Sequence, residues 1–161
     1  MLGALDLAVL RAFRTWGHTP ARERTVTTFS RLGEQAMVWY VLCGAGALLD
    51  PPRRPIYARA AKTILGVYAF NQVIKASVRR RRPRLDGLPP LAGTLSGLSY
   101  PSAHSATSFA AARMLSPVLP PAPLYALAVA LGLSRLYLGL HYPSDIVAGA
   151  ALGAAAGELA S

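Results

Sequence analysis

The sequence contains few charged residues and almost no cysteine. Cys43 is the only cysteine among 161 residues and lies inside an apolar run, so the chain can form neither a disulfide within itself nor a cysteine metal site. Charged residues make up 15% of the chain, whereas average soluble domains contain about 25%. Internal repeats and low-complexity tails are absent, and the length suits a single domain over 1–161. These shortages exclude a disulfide scaffold and a repeat array, and they favour a membrane protein.

Acidic residues are also scarce, with 7 Asp and Glu against 17 Lys and Arg and a formal net charge of +10. In a soluble protein this excess would first suggest nucleic-acid binding. The arginines here lie mostly between apolar segments, so we expect an anionic membrane surface or substrate as the partner, and no nucleic acid. A secretory signal is not expected, because Asp6, Arg11 and Arg14 interrupt the N-terminal apolar pattern.

Apolar residues at helical spacing predict an all-α fold. Residues 2–16 form an amphipathic pattern typical of a helix lying in the membrane interface, with an ordinary surface helix as the alternative, and 1–30 would comprise this helix and a linker. Five apolar stretches follow, and a bilayer crossing needs about 20 residues. We therefore expect an integral-membrane helical bundle of about five transmembrane helices plus the interfacial helix. The stretches are 34–50, 56–75, 102–118, 122–141 and 144–160.

Antiparallel threading of the five stretches brings four polar residues to one membrane face. Lys75 ends the second stretch, His104 begins the third, His141 ends the fourth and Asp145 begins the fifth. Most arginines fall on this face too, so the positive-inside rule predicts that it is cytoplasmic. Apart from the motif cations, this face has Arg11, Arg14, Arg22, Arg24, Arg31, Arg79, Arg80, Arg81 and Arg84, against Arg53, Arg54, Arg59, Lys62 and Arg113 on the other.

Two of the polar clusters suit the binding of a phosphate group. Lys75 and Arg82 are seven residues apart and would share a helix face if the helix continued to Pro83; two fixed cations neutralise a phosphate dianion. Ser102 is a candidate N-cap, which would leave the amides of Ala103 and His104 at a helix end that attracts anions. Interfacial anchoring and simple helix capping are the alternatives. Arg79–Arg81 are interpreted as such anchors.

The third cluster, Ser134-Arg135-x5-His141-x3-Asp145, has the most specific spacing. Ser134 and His141 are at i and i+7, roughly one helix face, and Asp145 follows His141 by four residues. A carboxylate there holds an imidazole in one tautomer and leaves its other nitrogen free for attack on phosphorus. A charged arginine inside a membrane span costs free energy, so Arg135 should have a partner. We expect that partner to be Asp145 or a bound anion. A structural His–Asp contact is the alternative.

The three clusters in this order resemble the motifs of the type 2 phosphatidic acid phosphatase family, K-x6-R-P, P-S-G-H and S-R-x5-H-x3-D. Every fixed position matches except Ala103, where the family usually has glycine; alanine keeps the amide and implies a tighter pocket. The resemblance implies an all-helical phosphatase, with catalytic motifs at 75–145. It implies that His141 is the nucleophile, Asp145 orients it, and His104 protonates the leaving alcohol and later activates water. The phosphoryl oxygens would be held by Lys75, Arg82, Ser102, Ala103, Ser134 and Arg135.

The resemblance also implies a metal-independent lipid phosphate phosphatase of a bacterial cell membrane. The chain is similar to short bacterial members that act on polyprenyl phosphates, and we expect a substrate such as decaprenylphosphoryl-5-phosphoribose. Phosphatidylglycerol phosphate, phosphatidate and undecaprenyl diphosphate are alternatives. A vanadate-dependent haloperoxidase is disfavoured by the short, apolar chain, and a non-catalytic lipid-phosphate binding or transport protein by the complete set of catalytic groups. The sequence does not set the oligomeric state.

Overall fold

Seven α-helices account for most of residues 2–161, the part of the chain that this computed structural model describes. They are α1 (Leu2–Thr15), α2 (Pro20–Arg31), α3 (Met37–Leu49), α4 (Arg54–Val78), α5 (Ala103–Leu115), α6 (Pro121–Tyr137) and α7 (Pro143–Ala160). Short 3₁₀ turns, Glu34–Ala36 and Pro51–Arg53, precede α3 and α4. The all-α prediction and the helix in each of the five apolar stretches are confirmed.

Prolines and capping hydroxyls set the starts of the helices. Pro20, Pro121 and Pro143 each occupy the first turn of a helix, where their lack of an N–H costs nothing. The Thr19 hydroxyl accepts a hydrogen bond from the Arg22 amide at 3.2 Å and caps α2. The prediction of a linker between the first helix and residue 30 is wrong, because Thr19 followed by Pro20 starts a second helix.

Helix α5 lies at the centre of the bundle, surrounded by α4, α6 and α7. Its closest neighbour is α7, where Gly149, Gly153 and Gly157 recur every four residues and are all buried. A Cβ atom on Gly153 would overlap the Ala106 carbonyl group of α5. The two backbones therefore touch along a glycine stripe, as in membrane helix pairs built on small residues.

Helix α1 confirms the predicted amphipathic helix, but two of its charged residues, Asp6 and Arg14, face inward while Arg11 is exposed. Asp6, Leu10 and Arg14 share a face and are buried against the bundle, whereas Leu5 and Trp16 are 64% and 85% exposed. The Arg14 guanidinium explains part of this orientation, because it donates to backbone carbonyls of the bundle. The outward apolar side suits a helix that rests on lipid.

Within residues 2–161, no single helix combines the length and the apolar composition of a membrane span. The bent pair of Pro20–Arg31 and Glu34–Leu49, with an angle of 49° at the break, meets both criteria when its two parts are taken together.

Candidate active site

Five chain segments meet around a cavity of about 450 Å³ at one end of the bundle. It lies beside the C-terminal ends of α4 and α6, the loop from Arg82 to Ser96, the N-terminal turn of α5 and the turn before α3. Six of the nine predicted site residues line it, namely Lys75, Arg82, Ala103, His104, Arg135 and His141. Polar residues outside the motifs complete the wall, including Glu34, Gln35, Gln72, Thr94 and Ser96.

His141 lies in the connection between α6 and α7, outside both helices. The predicted shared helix face with Ser134 is wrong, because α6 ends at Tyr137 and Gly139 turns the chain with a φ of 72°, a conformation that favours glycine. The Leu140 amide donates to the Arg135 carbonyl at 2.9 Å, which closes this turn. His141 and Arg135 consequently reach the same cavity.

The hydrogen bond from Arg82 defines the tautomer of His141. Arg82 Nη1 donates to His141 Nε2 at 3.1 Å, so Nε2 carries a lone pair and the proton of the neutral ring is on Nδ1. Nδ1 lies 3.5 Å from Asp145 Oδ2. Complete burial, and then the positive charges of Arg82, Lys75 and Arg135, lower the pKa of His141 to about 3 despite the opposing effect of Asp145. The imidazole is therefore neutral at physiological pH, and the lone pair of its Nε2 accepts the hydrogen bond from Arg82 at the cavity wall.

Asp145 is fully buried behind His141 and is held from several sides. Its Oδ2 accepts a hydrogen bond from the Tyr142 amide at 2.9 Å, and its Oδ1 accepts one from Arg80 Nη1 at 2.9 Å. Its backbone carbonyl accepts from the Ser102 amide at 3.0 Å, which joins the start of α7 to the start of α5. The carboxylate thus has little freedom to rotate away from the histidine.

Three cations surround the cavity without a carboxylate partner. Lys75 and Arg135 are each 5% exposed, and Arg82 is half-buried. Lys75 Nζ donates to the Leu98 carbonyl at 3.3 Å, Arg82 donates to the carbonyls of Ser96 and Leu140, and Arg135 Nη1 donates to the Ser30 hydroxyl at 2.8 Å. None of the three forms an ion pair within residues 2–161. Uncompensated buried charge is costly, so this arrangement favours an anionic ligand.

The condition under which Lys75 and Arg82 would share a helix face, a helix continuing to Pro83, is not met. Helix α4 ends at Val78, and Arg79 adopts a left-handed φ of 55° as its amide donates to the Lys75 carbonyl. The next residues are extended, with a bridge between Arg81 and Leu98. Side chains alternate along extended backbone, which accounts for the inward Arg80 and Arg82 and the exposed Arg79 and Arg81.

His104 stands in the first turn of α5 and is covered by the turn before α3. Its Nε2 donates to the Ser30 carbonyl at 3.1 Å, so Nδ1 is the nitrogen left to exchange a proton with a ligand. A Cβ on Gly33 would lie 2.6 Å from His104 Cδ2, so only glycine permits this approach. The turn that follows contains Gln35 and Ala36 with φ of 50° and 62°.

Two of the predicted phosphate ligands, Ser102 and Ser134, do not line the cavity. Ser102 is fully buried, and its hydroxyl accepts from the Ser105 amide at 3.4 Å as the cap of α5. The Ser134 hydroxyl donates to the Leu131 carbonyl at 2.7 Å and lies 3.0 Å from the Ser30 hydroxyl. Contact of either side chain with phosphate stays a prediction.

Sequence reasoning missed two residues that hold the site together. Ser30, at the end of α2, contacts His104, Ser134 and Arg135, and no motif marks it. Arg80 was interpreted as an interfacial anchor because four consecutive arginines gave no indication of which ones face inward. The period-two alternation of an extended segment after α4 was the available signal.

The comparisons with known proteins agree with this geometry. The family model described as PAP2 superfamily matches residues 57–160. The chain is 36% identical over 141 residues to decaprenylphosphoryl-5-phosphoribose phosphatase of Mycobacterium tuberculosis, covering 87% of this chain and 79% of that protein. It is 40% identical over 121 residues to the Mycolicibacterium smegmatis protein of the same name, covering 74% and 67%.

Solved structures extend the likeness to almost the whole chain. The transmembrane PAP2 type phosphatidylglycerolphosphate phosphatase from Bacillus subtilis superposes with a TM-score of 0.79 at 25% identity, covering 98% of this chain and 83% of that one. Aquifex aeolicus LpxE gives a TM-score of 0.80 at 22% identity, covering 97% and 94%. The first match supports an integral-membrane fold, and the second supports the fold alone.

Proposed function

This chain belongs to the PAP2 superfamily, and on that basis we propose that its substrate is a polyprenyl-linked sugar phosphate such as decaprenylphosphoryl-5-phosphoribose. It is an integral-membrane lipid phosphate phosphatase. The substrate follows from the names of the mycobacterial relatives at 36% and 40% identity. The polar wall around Glu34, Gln72 and Thr94 supports a head group that carries hydroxyls beside its phosphate.

The observation that carries the proposed catalytic roles is the lone pair of His141 Nε2 among three cations that lack a carboxylate partner. Lys75, Arg82 and Arg135 would hold the phosphoryl oxygens and neutralise their charge. Arg82 would transfer its hydrogen bond from His141 Nε2 to a phosphoryl oxygen, and the freed Nε2 lone pair would form a bond to phosphorus while the bond between phosphorus and the sugar oxygen breaks. Asp145 would stabilise the positive charge that develops on the imidazole.

His104 would act twice through Nδ1. As the imidazolium it donates a proton to the leaving sugar oxygen, which departs as the alcohol of the lipid-linked sugar. As the neutral ring it then takes a proton from a water molecule that attacks the phosphohistidine. Cleavage of that bond releases inorganic phosphate and restores neutral His141. Each of these steps uses side chains of the cavity wall and requires no metal ion.

Phosphate release from a panel of lipids in detergent with EDTA tests the proposal. The panel contains the phosphoribosyl polyprenyl phosphate, polyprenyl phosphate and diphosphate, phosphatidate and phosphatidylglycerol phosphate. We expect turnover of the phosphoribosyl lipid to be fastest, to resist EDTA, to be blocked by vanadate and to vanish in His141→Ala. Faster turnover of another lipid would contradict the proposed substrate and identify that lipid as the substrate instead. No release from any lipid by folded protein would favour a binding protein.

A cytoplasmic active face is proposed from the arginine distribution. Arg14 and Arg80 are engaged inside the protein, so they no longer count toward the positive-inside rule. The exposed arginines of the active face still outnumber the basic residues of the other face. They are Arg11, Arg22, Arg24, Arg31, Arg79, Arg81 and Arg84. In a Cys43→Ser background, Asp86→Cys should react with an impermeant maleimide only after cell lysis. Labelling of the Asp86→Cys variant in intact cells would contradict the proposed orientation and place the active face outside the cytoplasm.

A further inference from the structure

The N-terminal helix reaches the Asp145 carboxylate through two partly buried ion pairs of Arg80, the first of them with Asp6. Asp6 lies outside the family-matched residues 57–160, and its side chain is 7% exposed. Its Oδ2 lies 2.7 Å from Arg80 Nη2 and accepts from the Ser144 hydroxyl at 2.5 Å, while its Oδ1 accepts from the Ser144 amide at 3.0 Å. Burial opposes ionisation, but the bonds from Ser144 and Arg80 prevail and lower the pKa of Asp6.

Arg80 joins this helix to the site. One guanidinium nitrogen binds Asp6, and the other donates to Asp145 Oδ1 at 2.9 Å. The guanidinium also lies over the Tyr142 ring, 4.0 Å from its centroid. A planar guanidinium held at both ends and stacked on a ring has a fixed position. Asp145 is thereby left with Oδ2 directed at His141 Nδ1, 3.5 Å away.

We propose that Asp6 is a positioning residue, the last member of a His141–Asp145–Arg80–Asp6 relay that makes the docked N-terminal helix part of the catalytic apparatus. The charge balance gives the reason. With Asp6 present, two carboxylates flank one guanidinium, so a net negative charge faces the imidazole as it becomes positive during attack. Without Asp6, Arg80 neutralises Asp145 and that stabilisation is lost.

This inference rests on the role proposed for His141, and Asp6→Asn tests it because asparagine keeps the shape and removes the charge. Using any panel lipid that the wild type hydrolyses, we expect kcat to fall about ten- to hundredfold, as for misplaced catalytic groups, with KM nearly unchanged because Asp6 does not line the cavity. An unchanged kcat in the folded variant overturns the relay alone. Inactive wild type would instead overturn the proposed function.

Leu10→Ala is the matched control for helix docking. Leu10 is fully buried on the same face of α1, one turn beyond Asp6, and has no polar group in the relay. We expect a lower Tm with kcat close to that of the wild type. An equal fall of kcat in both variants would show that docking in general, rather than the charge of Asp6, sustains activity, and would overturn the proposal.

Arg80→Lys provides a second route if Asp6→Asn does not fold. Lysine keeps the positive charge but cannot bind two carboxylates with a planar fork. We expect the same loss of kcat with little change in KM. Wild-type kcat in this variant would overturn the relay, because the bridge between Asp6 and Asp145 would then be dispensable.

Discussion

The glycine stripe of α7 gives a prediction whose size follows from interatomic distances. A Cβ on Gly153 would lie 2.9 Å from the Ala106 carbonyl carbon and 3.0 Å from the Ala110 nitrogen, and nearer still to the Ala106 oxygen, whereas ordinary contacts begin at 3.4 Å. Backbone atoms cannot rotate away, so Gly153→Ala would force α5 and α7 apart by roughly 1 Å in a closely packed interior. Overpacking of this kind costs about 1–3 kcal/mol.

Gly66→Ala in α4 is the matched control, because a Cβ there meets nothing within 4 Å. Both variants gain about 1 kcal/mol of helix propensity from replacing glycine. The difference between them therefore isolates the packing term, about 1–3 kcal/mol. For a chain of this length that corresponds to a Tm difference of at least about 2–4 °C.

Thermal unfolding of both variants in the same detergent measures this difference, and phosphate release measures its consequence. Helix α7 carries Asp145, whose carbonyl accepts from the Ser102 amide of α5. Separation of the helices would strain this bond, so we expect Gly153→Ala to lower kcat as well as Tm. A Gly153→Ala variant as stable as Gly66→Ala would refute the reasoning from close backbone contact.

Three further predictions concern the site itself. Ser30→Ala removes the acceptor of the buried Arg135 Nη1, so we expect a loss of about 1–3 kcal/mol in the free energy of unfolding, against almost none for the exposed Ser77→Ala. The pKa of His141 is about 3 when folded, against 6.5 for an ordinary histidine, so the unfolded chain binds this proton first as pH falls below 6.5. Stability should then decrease toward acid pH, and His141→Gln should lessen the decrease between pH 7 and 4.5 in thermal unfolding; an identical decrease would contradict the burial argument. Ala103→Gly keeps the backbone amide, so phosphate release should persist, and its loss would show that the alanine methyl group is needed.

Much of the fold followed from local patterns. Apolar runs separated by prolines predicted the five helices α3 to α7, since proline suits a first helical turn and disrupts later ones. The same threading predicted that Lys75, His104, His141 and Asp145 meet at one end, and the structure gathers Lys75, His104 and His141 around the cavity with Asp145 directly behind. Helix α2 was missed because its sequence is largely polar, so no apolar run marked it, although Thr19 and Pro20 form a helix start signal.

The sequence by itself determined which chemical groups this protein has and the order in which the chain presents them. Only the tertiary structure decided which groups face the cavity. A turn at Arg79 ends α4 before it can reach Pro83, and α6 ends at Tyr137, before the predicted boundary at 141. The turns at Arg79 and Gly139 aim Arg82 and His141 inward. Ser30 and Asp6 join the site from distant helices, because side-chain partners are chosen by proximity after packing, and no spacing within a single segment encodes that.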